Sequence, residues 1–452
     1  MKLVGVHRRL EWVLLVIVLL GAVISYAGHG SNATGVPVGL DVSSSAESTA
    51  IYCTGLSSGQ FGWPGEIQIA NTSGATRHIT ILVTTVSGTV EQQTQVLSAH
   101  ALLLFSPTNG PSLLPTWSAQ ITVDGSGVVA QEMESAQPAV SSPCVNAPSA
   151  NWYATGFSTL SHNTAYLSLY NPTGTPAVVN IQAWTSAGLV ATAPFEGVVI
   201  APQSMQVFNL GSQIIDASAV VLRVQALRGL VVATGTQITG TVAPTYSLIA
   251  GTTALVTSAL VPQVATRDGA VAQLVVGNPL TVTAHVTIAV ELGKYSIAPF
   301  VIDVAAGSVY VLNVVPDSRV PASDYATLDI RSSQPASLSL VSGSPSAAWI
   351  RSLDTPTKTL VLVDGLGHGY DGSAVLSNAT ASPAQVHFRV VSPHGVQHGE
   401  FVVAPHALRS VPVAPVDGMI VLSSSIPLSV TATSRTTTVP VGSIQFGAVP
   451  AS

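Results

Sequence analysis

The chain has 452 residues, of which 47% are hydrophobic and only 8% are charged, and its formal net charge is −6 at pH 7. This apolar content is too high for an intrinsically disordered chain. Because lysine and arginine total only 15, no basic field is available for a phosphate backbone, and the composition excludes a nucleic-acid-binding protein. The low charge also predicts that stability changes little with pH, since few carboxylates are protonated on acidification.

The N-terminus predicts a membrane-targeting segment. Residues 1–11 contain three basic residues and are predicted to be a cytoplasmic tail, and residues 12–27 form a nearly uninterrupted apolar run. Basic residues before such a run direct the following chain outward across the membrane. The run is short for an anchor, and the small residues up to Ala27 suit a signal peptidase, so the residues leave an anchor and a cleaved signal both open. Residues 28–49 are predicted to be a flexible stalk.

An internal repeat is the strongest pattern in the remaining chain. Four markers recur in one order: the end of an opening strand, an asparagine after the second strand, a glycine after the third, and a proline or small residue before the fifth. The asparagine recurs about every 100 residues, at Asn71, Asn171, Asn278 and Asn378. The glycine recurs at Gly88, Gly188, Gly293 and Gly395. The markers predict four modules, at residues 50–149, 150–251, 252–355 and 356–452.

The repeating unit has the pattern of an all-β module. In the clearest copy, apolar and polar residues alternate through Ala165–Tyr170 and Val178–Trp184, as they do in strands with one face in a core. A period of about 100 residues with several short strands is typical of an immunoglobulin-like or fibronectin-like sandwich. We therefore predict four tandem β-sandwiches after one N-terminal apolar helix. The alternative is a β-propeller with two blades per repeat, because one blade takes about 40 to 50 residues.

The only two cysteines, Cys53 and Cys144, lie at the two ends of the first module. The first and last strands of a sandwich can be neighbours, and the predicted compartment is oxidising. We therefore predict a disulfide between Cys53 and Cys144. The alternative is a pair of buried free thiols.

Two short motifs match catalytic patterns but lack the helix that each pattern requires. Ser57 lies in a G-x-S-x-G sequence, whose serine is catalytic only on a sharp strand-to-helix turn, and the following Gln60–Pro64 does not start a helix. Gly367–Gly372 fits G-x-G-x-x-G, which binds a dinucleotide only at a helix N-terminus, whereas the residues after it predict another strand. We therefore assign no catalytic residue and no cofactor.

Histidines cluster in the last module, which holds five of the 11 in the chain. They are His368, His387, His394, His398 and His406. Few carboxylates accompany them, and a zinc site needs converging ligands that are themselves oriented by hydrogen bonds. We therefore predict exposed turn histidines and no metal site.

Neither acidic nor aromatic residues predict a clear sugar site. Glu132 and Glu134 share one face of a strand, so they do not flank a cleft as the two carboxyls of a glycosidase do. Trp184 falls in a predicted strand and is expected in the core. Trp63 and Trp117 lie in predicted loops and are the candidates for ligand-facing aromatic side chains.

Four features of the second module carry a resemblance to known proteins. They are the aromatic opening strand Trp152–Gly156, the strand that leads into Asn-Pro-Thr at Leu167–Thr173, a valine-rich strand that ends in a glycine turn, and a late strand after a proline. In these features the chain resembles membrane-anchored actinobacterial envelope proteins of unknown function. The resemblance covers the second module well and the others loosely. It implies an extracytoplasmic location and an uncleaved anchor, and no catalytic residue.

These patterns predict a non-enzymatic cell-envelope protein that displays its modules outside the cytoplasmic membrane as a spacer or interaction surface. The predicted partners are the membrane, through residues 12–27, and a cell-wall glycan or another envelope protein. One alternative is a cell-wall carbohydrate-binding protein that uses Trp63 and Trp117. A third is a secreted hydrolase, which would need Ser57 exposed beside a histidine and an acid.

Overall fold

The structure is a computed structural model, and it describes residues 49–57, 64–108, 116–134, 140–191, 193–241, 244–292, 295–315, 317–323, 326–344, 347–353, 357–364, 370–378, 380–392, 395–413, 418–436, 443–446 and 449–450. All of these residues belong to one compact unit. The apolar segment predicted at residues 12–27 lies outside them. None of the helices in the described part has the length and apolar character of a membrane span.

The described elements are β-strands, apart from two short 3-10 helices at Ala193–Phe195 and Leu210–Ser212. Module 1 contains β1 (Thr49–Ser57), β2 (Gly65–Asn71), β3 (Arg77–Thr85), β4 (Gly88–Leu97), β5 (Leu102–Phe105), β6 (Thr116–Val123), β7 (Val128–Glu134) and β8 (Val140–Pro143). Module 2 contains β9 (Asn151–Phe157), β10 (Asn163–Asn171), β11 (Ala177–Thr185), β12 (Gly188–Val190), β13 (Val198–Ile200), β14 (Ser204–Asn209), β15 (Val220–Arg228), β16 (Val232–Thr239) and β17 (Thr245–Ala250).

The second half of the chain repeats this order. Module 3 contains β18 (Val256–Val264), β19 (Val271–Asn278), β20 (Ala284–Leu292), β21 (Tyr295–Ser296), β22 (Phe300–Val304), β23 (Ser308–Val315), β24 (Ala326–Ser344) and β25 (Ala347–Ser352). Module 4 contains β26 (Thr357–Asp364), β27 (Tyr370–Asn378), β28 (Ala384–Ser392), β29 (Gly395–Val403), β30 (Ala407–Val413), β31 (Gly418–Thr436), β32 (Ser443–Phe446) and β33 (Val449–Pro450).

Every module has the same pairing pattern. One sheet has the order first–sixth–third–fourth strand, which is β1-β6-β3-β4 in module 1, and the other has the order fifth–second–seventh–eighth, which is β5-β2-β7-β8. In module 2 the fourth strand is split into β12 and β13. In modules 3 and 4 the sixth and seventh strands are the two halves of one long strand, β24 or β31, which passes from one sheet to the other.

The prediction of an all-β fold of tandem sandwiches is confirmed. The second strand pairs with the fifth and the third with the sixth, as the B–E and C–F pairs do in an immunoglobulin domain. The terminal strands differ from that domain, because the first strand lies beside the sixth and the seventh beside the second. Compared with the immunoglobulin domain, the first and seventh strands have therefore exchanged sheets.

A buried asparagine fixes the same turn in every module. Asn171 is fully buried at the end of β10, and its Nδ2 donates to the carbonyl oxygens of Thr175 (2.8 Å), Ile200 (3.1 Å) and Ala201 (3.1 Å). Its Oδ1 accepts from the backbone N–H of Thr173 at 3.0 Å. The same three carbonyl positions and the same N–H are bonded by Asn71, Asn278 and Asn378. The repeat seen in the sequence therefore records one amide that ties the turn after the second strand to the end of the fourth.

The four modules contact one another in a closed cycle. The first strand of each module packs on the second and seventh strands of the next: β1 on β10 and β16, β9 on β19 and β24, and β18 on β27 and β31. Strand β26 of module 4 packs in turn on β7 of module 1, and β32 pairs with β8 at Gln445 and Val140. The eighth strands also meet, since β17 lies against both β8 and β25.

This cycle relates the two predicted architectures to each other. A β-propeller is a closed cycle of four-stranded sheets packed face to face. Here each sheet of a module packs on the other sheet of that module and, through its opposite face, on a sheet of a neighbouring module. Each module is a sandwich, as predicted, and the stacking of its two sheets in a cycle corresponds to the two-blade arrangement of the alternative.

The seam between modules 2 and 3 is apolar. Trp184 and Val221, on the outer face of one module 2 sheet, cluster with Val275 and Val309 of module 3. All four are buried. Because the outer face of β11 and β15 is buried against module 3, these side chains stabilise the association of the two modules.

The seam between modules 1 and 2 is more polar. The Thr234 hydroxyl donates to the carbonyl oxygen of Thr54 at 2.5 Å. Next to it, Gly55 has a positive φ of 85°, and a Cβ at this position would lie 2.9 Å from Ser168 Oγ. The glycine is required here both for the backbone conformation and for the close approach of the second module.

Cys53 of β1 and Cys144, just after β8, are joined by a disulfide bond. The bond ties the first strand to the last across the sandwich, because the two strands belong to different sheets. Both sulfurs lie in the core of module 1.

We expect the native chain to contain no titratable thiol and to migrate faster on a non-reducing gel than after reduction. The reason is that the bond closes a loop of 91 residues in sequence and so makes the denatured chain more compact. Thiol titration in denaturant, with and without reductant, measures this directly. Two thiols without reductant, and one mobility on both gels, would contradict the bond.

Candidate functional site

The structure corrects the prediction for Trp117. This side chain is 1% exposed, because it lies at the start of strand β6 and points into the core, where it stacks edge-on with Phe105. Its Nε1 donates to the carbonyl oxygen of Ser57 at 3.2 Å. Trp117 therefore faces no ligand. Trp63, the other predicted aromatic candidate, lies outside the described residues.

The two catalytic-looking motifs lie on strands. Ser57 is the last residue of β1, is 4% exposed and is followed at Gly65 by strand β2. The G-x-G-x-x-G sequence ends inside β27 (Tyr370–Asn378), and its first glycines lie outside the described residues. The described part of each motif is therefore strand, and residues 58–63, which follow Ser57, lie outside the described residues.

The histidines of module 4 in the described residues are exposed, as predicted, but only His406 lies in a turn, whereas His387 and His398 lie on strands. His387 on β28 lies 3.6 Å from Glu400 on β29, and both side chains are mostly exposed. His398 lies on β29 opposite Arg389. Within the described part of the chain, no three His, Cys, Asp or Glu side chains form a group that could hold a metal ion. The other two candidates, His368 and His394, do not fall in that part.

The residues that the structure brings together are the two acids of β7. Glu132 is 1% exposed and Glu134 is 0% exposed. They are two residues apart and point from β7 towards β1 of the opposite sheet. Charged side chains are almost never fully buried unless they are paired, so this pair is the most unusual chemistry in the described residues.

Strand β1 positions the pair by offering backbone donors. Its register shifts between Cys53 and Leu56, and it is the edge strand of its sheet, so several of its N–H groups have no partner strand. Thr54 N donates to Glu132 Oε2 at 3.1 Å, and Ser57 N donates to Glu134 Oε1 at 2.6 Å. The carboxyls thus satisfy amides that would otherwise be buried without an acceptor.

Module 2 contributes the third titratable group of the site. Tyr246 of β17 is 3% exposed, and its hydroxyl interacts with the Glu134 carboxyl and with Thr236 Oγ1 at 3.4 Å. The site therefore spans the seam between modules 1 and 2. We refer to Glu132, Glu134 and Tyr246 together as the acid cluster.

Burial controls the protonation of the acid cluster. Loss of solvation raises the pKa of Glu132 to about 8, and the hydrogen bond from Thr54 only partly offsets this. Burial also raises the pKa of Glu134 well above its usual range, and repulsion by Glu132 raises it further. Burial raises the pKa of Tyr246 as well. At neutral pH the pair is therefore held largely in the protonated, uncharged form.

Module 2 contains the same site without charge. Gln237 occupies the position of Glu134, since each pairs with the residue six positions before the repeated asparagine. Its Oε1 accepts from Ser158 N at 2.8 Å, which matches the bond from Ser57 N to Glu134. The bond thus requires an acceptor oxygen and not a negative charge.

The position of Glu132 is explained by volume. Its equivalent in module 2 is Gly235, where a Cβ would lie 2.3 Å from Phe157 Cζ. In module 1 the residue equivalent to Phe157 is the smaller Leu56. The space that a phenyl ring fills in module 2 is therefore shared in module 1 between a leucine and a carboxyl side chain.

The side chains of the acid cluster are closed to solvent. General acid–base catalysis requires the proton-transferring group to reach a substrate, and both carboxyls are shielded from solvent. The sequence showed that Glu132 and Glu134 share a strand face. It could not show the donors on β1 or the phenol from the next module. The available signal was an acid at alternate positions of a strand in a chain with few charges.

This geometry defines a class of protein: tandem β-sandwich modules closed into a cycle, with a buried carboxyl pair beside one seam. Residues 90–352 match a family described as "Family of unknown function (DUF5719)", and the chain belongs to this family. The match runs from within β4 to the end of β25, so it includes every strand of modules 2 and 3 that the structure describes. The predicted resemblance to a family of unknown function is confirmed.

Other comparisons add little. Among solved structures, the chain is similar to a crystal structure of a tetra-tandem repeat in the extending region of a large adhesion protein, with 16% identity over 84% of this chain and 94% of that one. The TM-score is 0.11, which is too low to indicate a shared arrangement of modules. No curated protein matches the chain.

Proposed function

We propose that this protein is a non-enzymatic component of the cell envelope that presents a rigid, closed assembly of four β-sandwich modules as a structural or interaction surface. The observation that carries the proposal is the closed cycle of contacts between the modules. A string of modules joined by flexible linkers acts as a spacer whose reach varies. Modules that are packed on both neighbours hold their surface loops at fixed separations, which favours recognition of one extended partner.

Two features of the chain support a location outside the cytoplasmic membrane. The basic residues and apolar run of residues 1–27 favour insertion with the modules outside. A disulfide in module 1 is typical of oxidising compartments. We therefore place the modules outside the cytoplasmic membrane of an actinobacterial envelope, anchored by residues 12–27, with cleavage near Ala27 as the alternative.

The partner that this surface suits is another envelope protein. The burial of Trp117 removes one of the two aromatic side chains on which the carbohydrate-binding alternative depended. Stacking on exposed aromatic rings is what such sites use to hold the apolar face of a sugar. Binding to a cell-wall glycan is the alternative outcome of the tests described next.

The test uses the full chain with a C-terminal epitope tag, expressed in an actinobacterial host. We expect the tag to stay with the membrane fraction and to bind antibody on intact spheroplasts. Crosslinking of intact cells should then capture an envelope protein. A tag that is reached only after lysis would contradict the location.

Two further assays separate the alternatives. Binding of the purified full chain to wall glycans on an array would replace the proposal with the carbohydrate-binding function. Turnover of ester or glycoside substrates, abolished by Ser57→Ala, would show an enzyme instead. We expect neither.

A further inference from the structure

We propose that the acid cluster makes module 1 and its seam with module 2 proton-dependent: the neutral carboxyl pair holds β1 against β7, and its ionisation in alkaline solution releases β1. The inference goes beyond the proposed function and does not depend on it. It rests first on geometry, since two carboxyls with 1% and 0% exposure each hold one N–H of the same strand.

The second oxygens of the pair are the weak point of the site. Glu132 Oε1 and Glu134 Oε2 are buried and accept no hydrogen bond from the described residues. In the neutral carboxyl this second oxygen carries the proton, and its O–H also lacks a partner among the described residues, but no full charge is buried. An ionised carboxylate places part of a full negative charge on each oxygen, and a buried charged oxygen without a donor destabilises the folded state strongly.

The groups around the pair cannot neutralise that charge. Strand β1 offers the two backbone N–H groups of Thr54 and Ser57, and β17 offers only the phenol of Tyr246, which would itself add negative charge on ionisation. On β2, the residues opposite the acids are Gly65 and Ile67. No lysine, arginine or histidine of the described residues forms an ion pair with either carboxyl.

The sign of the pH dependence follows from linkage. The folded state keeps protons on the pair up to a pKa of about 8 for Glu132, whereas the unfolded chain releases them near 4.5. Between these values the unfolded state binds fewer protons, so stability is greatest below pH 4.5 and falls as the pH rises through 8. This opposes the expectation from composition alone, that low charge makes stability independent of pH.

Module 2 supplies the matched control. Because Gln237 makes the equivalent bond to Ser158 without a titratable group, Glu134→Gln should keep the bond in module 1 and remove the charge. The reverse change, Gln237→Glu, should give module 2 a pH dependence that it lacks.

The experiment compares thermal melts of the full chain at pH 5 and pH 9. We expect the wild type to melt at least about 5 °C lower at pH 9, and the E132Q/E134Q variant to lose more than half of that difference. The remainder belongs to other carboxyls, such as Glu66, whose pKa burial also raises. Gln237→Glu should widen the difference. An unchanged difference in E132Q/E134Q, or a wild type that melts higher at pH 9, would overturn the proposal.

A second measurement keeps the test independent of whether the variants fold. Infrared spectra of the wild-type chain with isotope-labelled glutamate should show a protonated-carboxyl band at pH 6.5 that weakens as the pH rises past 8. Amide exchange at Thr54 and Ser57, corrected for the intrinsic rate, should accelerate over the same range. Fully ionised glutamates at pH 6.5 would contradict the proposal.

Discussion

Replacing Asn171 by alanine is expected to unfold module 2 at temperatures where the wild-type chain is intact, with a loss of about 3 to 5 kcal/mol in its free energy of unfolding. The substitution removes three donated bonds, to Thr175, Ile200 and Ala201, and leaves these carbonyl oxygens without their donor. It also removes the acceptor for the N–H of Thr173. Alanine leaves most of the space of the amide empty, and Asn171 is itself fully buried.

The measurement is denaturant unfolding of the full chain, followed by amide exchange resolved by module. Asn180→Ala is the matched control, because Asn180 lies on the other sheet of the same module and makes one exposed bond, from Gly197 N at 2.8 Å. We expect the control to change stability by less than about 0.5 kcal/mol. If both variants lose the same stability, the amide is not what holds the turn.

The asparagine also shows why the repeat could be predicted from sequence. Asparagine is the residue whose short side chain carries two N–H donors and an acceptor together, and a buried turn that needs all three admits few substitutes. Gly88 and Gly188 recur for a similar local reason, because both have a positive φ at the turn between the third and fourth strands of their module. Such markers depend on the backbone within one module, and short-range sequence contains that information.

The seams could not be predicted in this way, as Trp184 shows. Its strand, β11, alternates buried and half-buried residues until Ala183, Trp184 and Thr185, which are buried in succession. The sequence indicated a core position for Trp184. In the structure the indole lies on the outer face of the sheet and is covered by module 3. Periodicity tells which side chains are buried, but not which surface covers them.

The sequence did not predict the acid cluster, because periodicity does not show which surface covers a strand face. Glu132 and Glu134 were correctly placed on one strand face, but their partners are Thr54 and Ser57, more than 70 residues earlier, and Tyr246 of another module. Polar residues at alternate positions of a strand predict that this face of the strand is exposed to solvent when nothing is known of the opposite sheet. Only the pairing of distant strands reveals that this face is closed.

Gly235→Ala is expected to destabilise module 2 by about 2 to 3 kcal/mol, although alanine is ordinarily the better strand residue. A Cβ at this position would lie 2.3 Å from Phe157 Cζ and 3.2 Å from Ile249 Cβ. The phenyl ring is fully buried, so it has no free direction in which to turn. Gly174→Ala, in an exposed turn of the same module with nothing within 4 Å of the new Cβ, is the control and should be nearly neutral.

The double variant tests whether Phe157 is the cause. Phe157→Leu alone should cost about 1 kcal/mol or more through the space it leaves, yet in the presence of Gly235→Ala it should restore stability, because the methyl group occupies that space. A favourable coupling of about 1 kcal/mol or more between the two substitutions is therefore expected in denaturant unfolding. Strictly additive losses would place the strain at Ile249 instead. Coupling would show that the leucine at position 56 is what makes room for Glu132, and hence that the buried acid in module 1 depends on a smaller side chain in the opposite sheet.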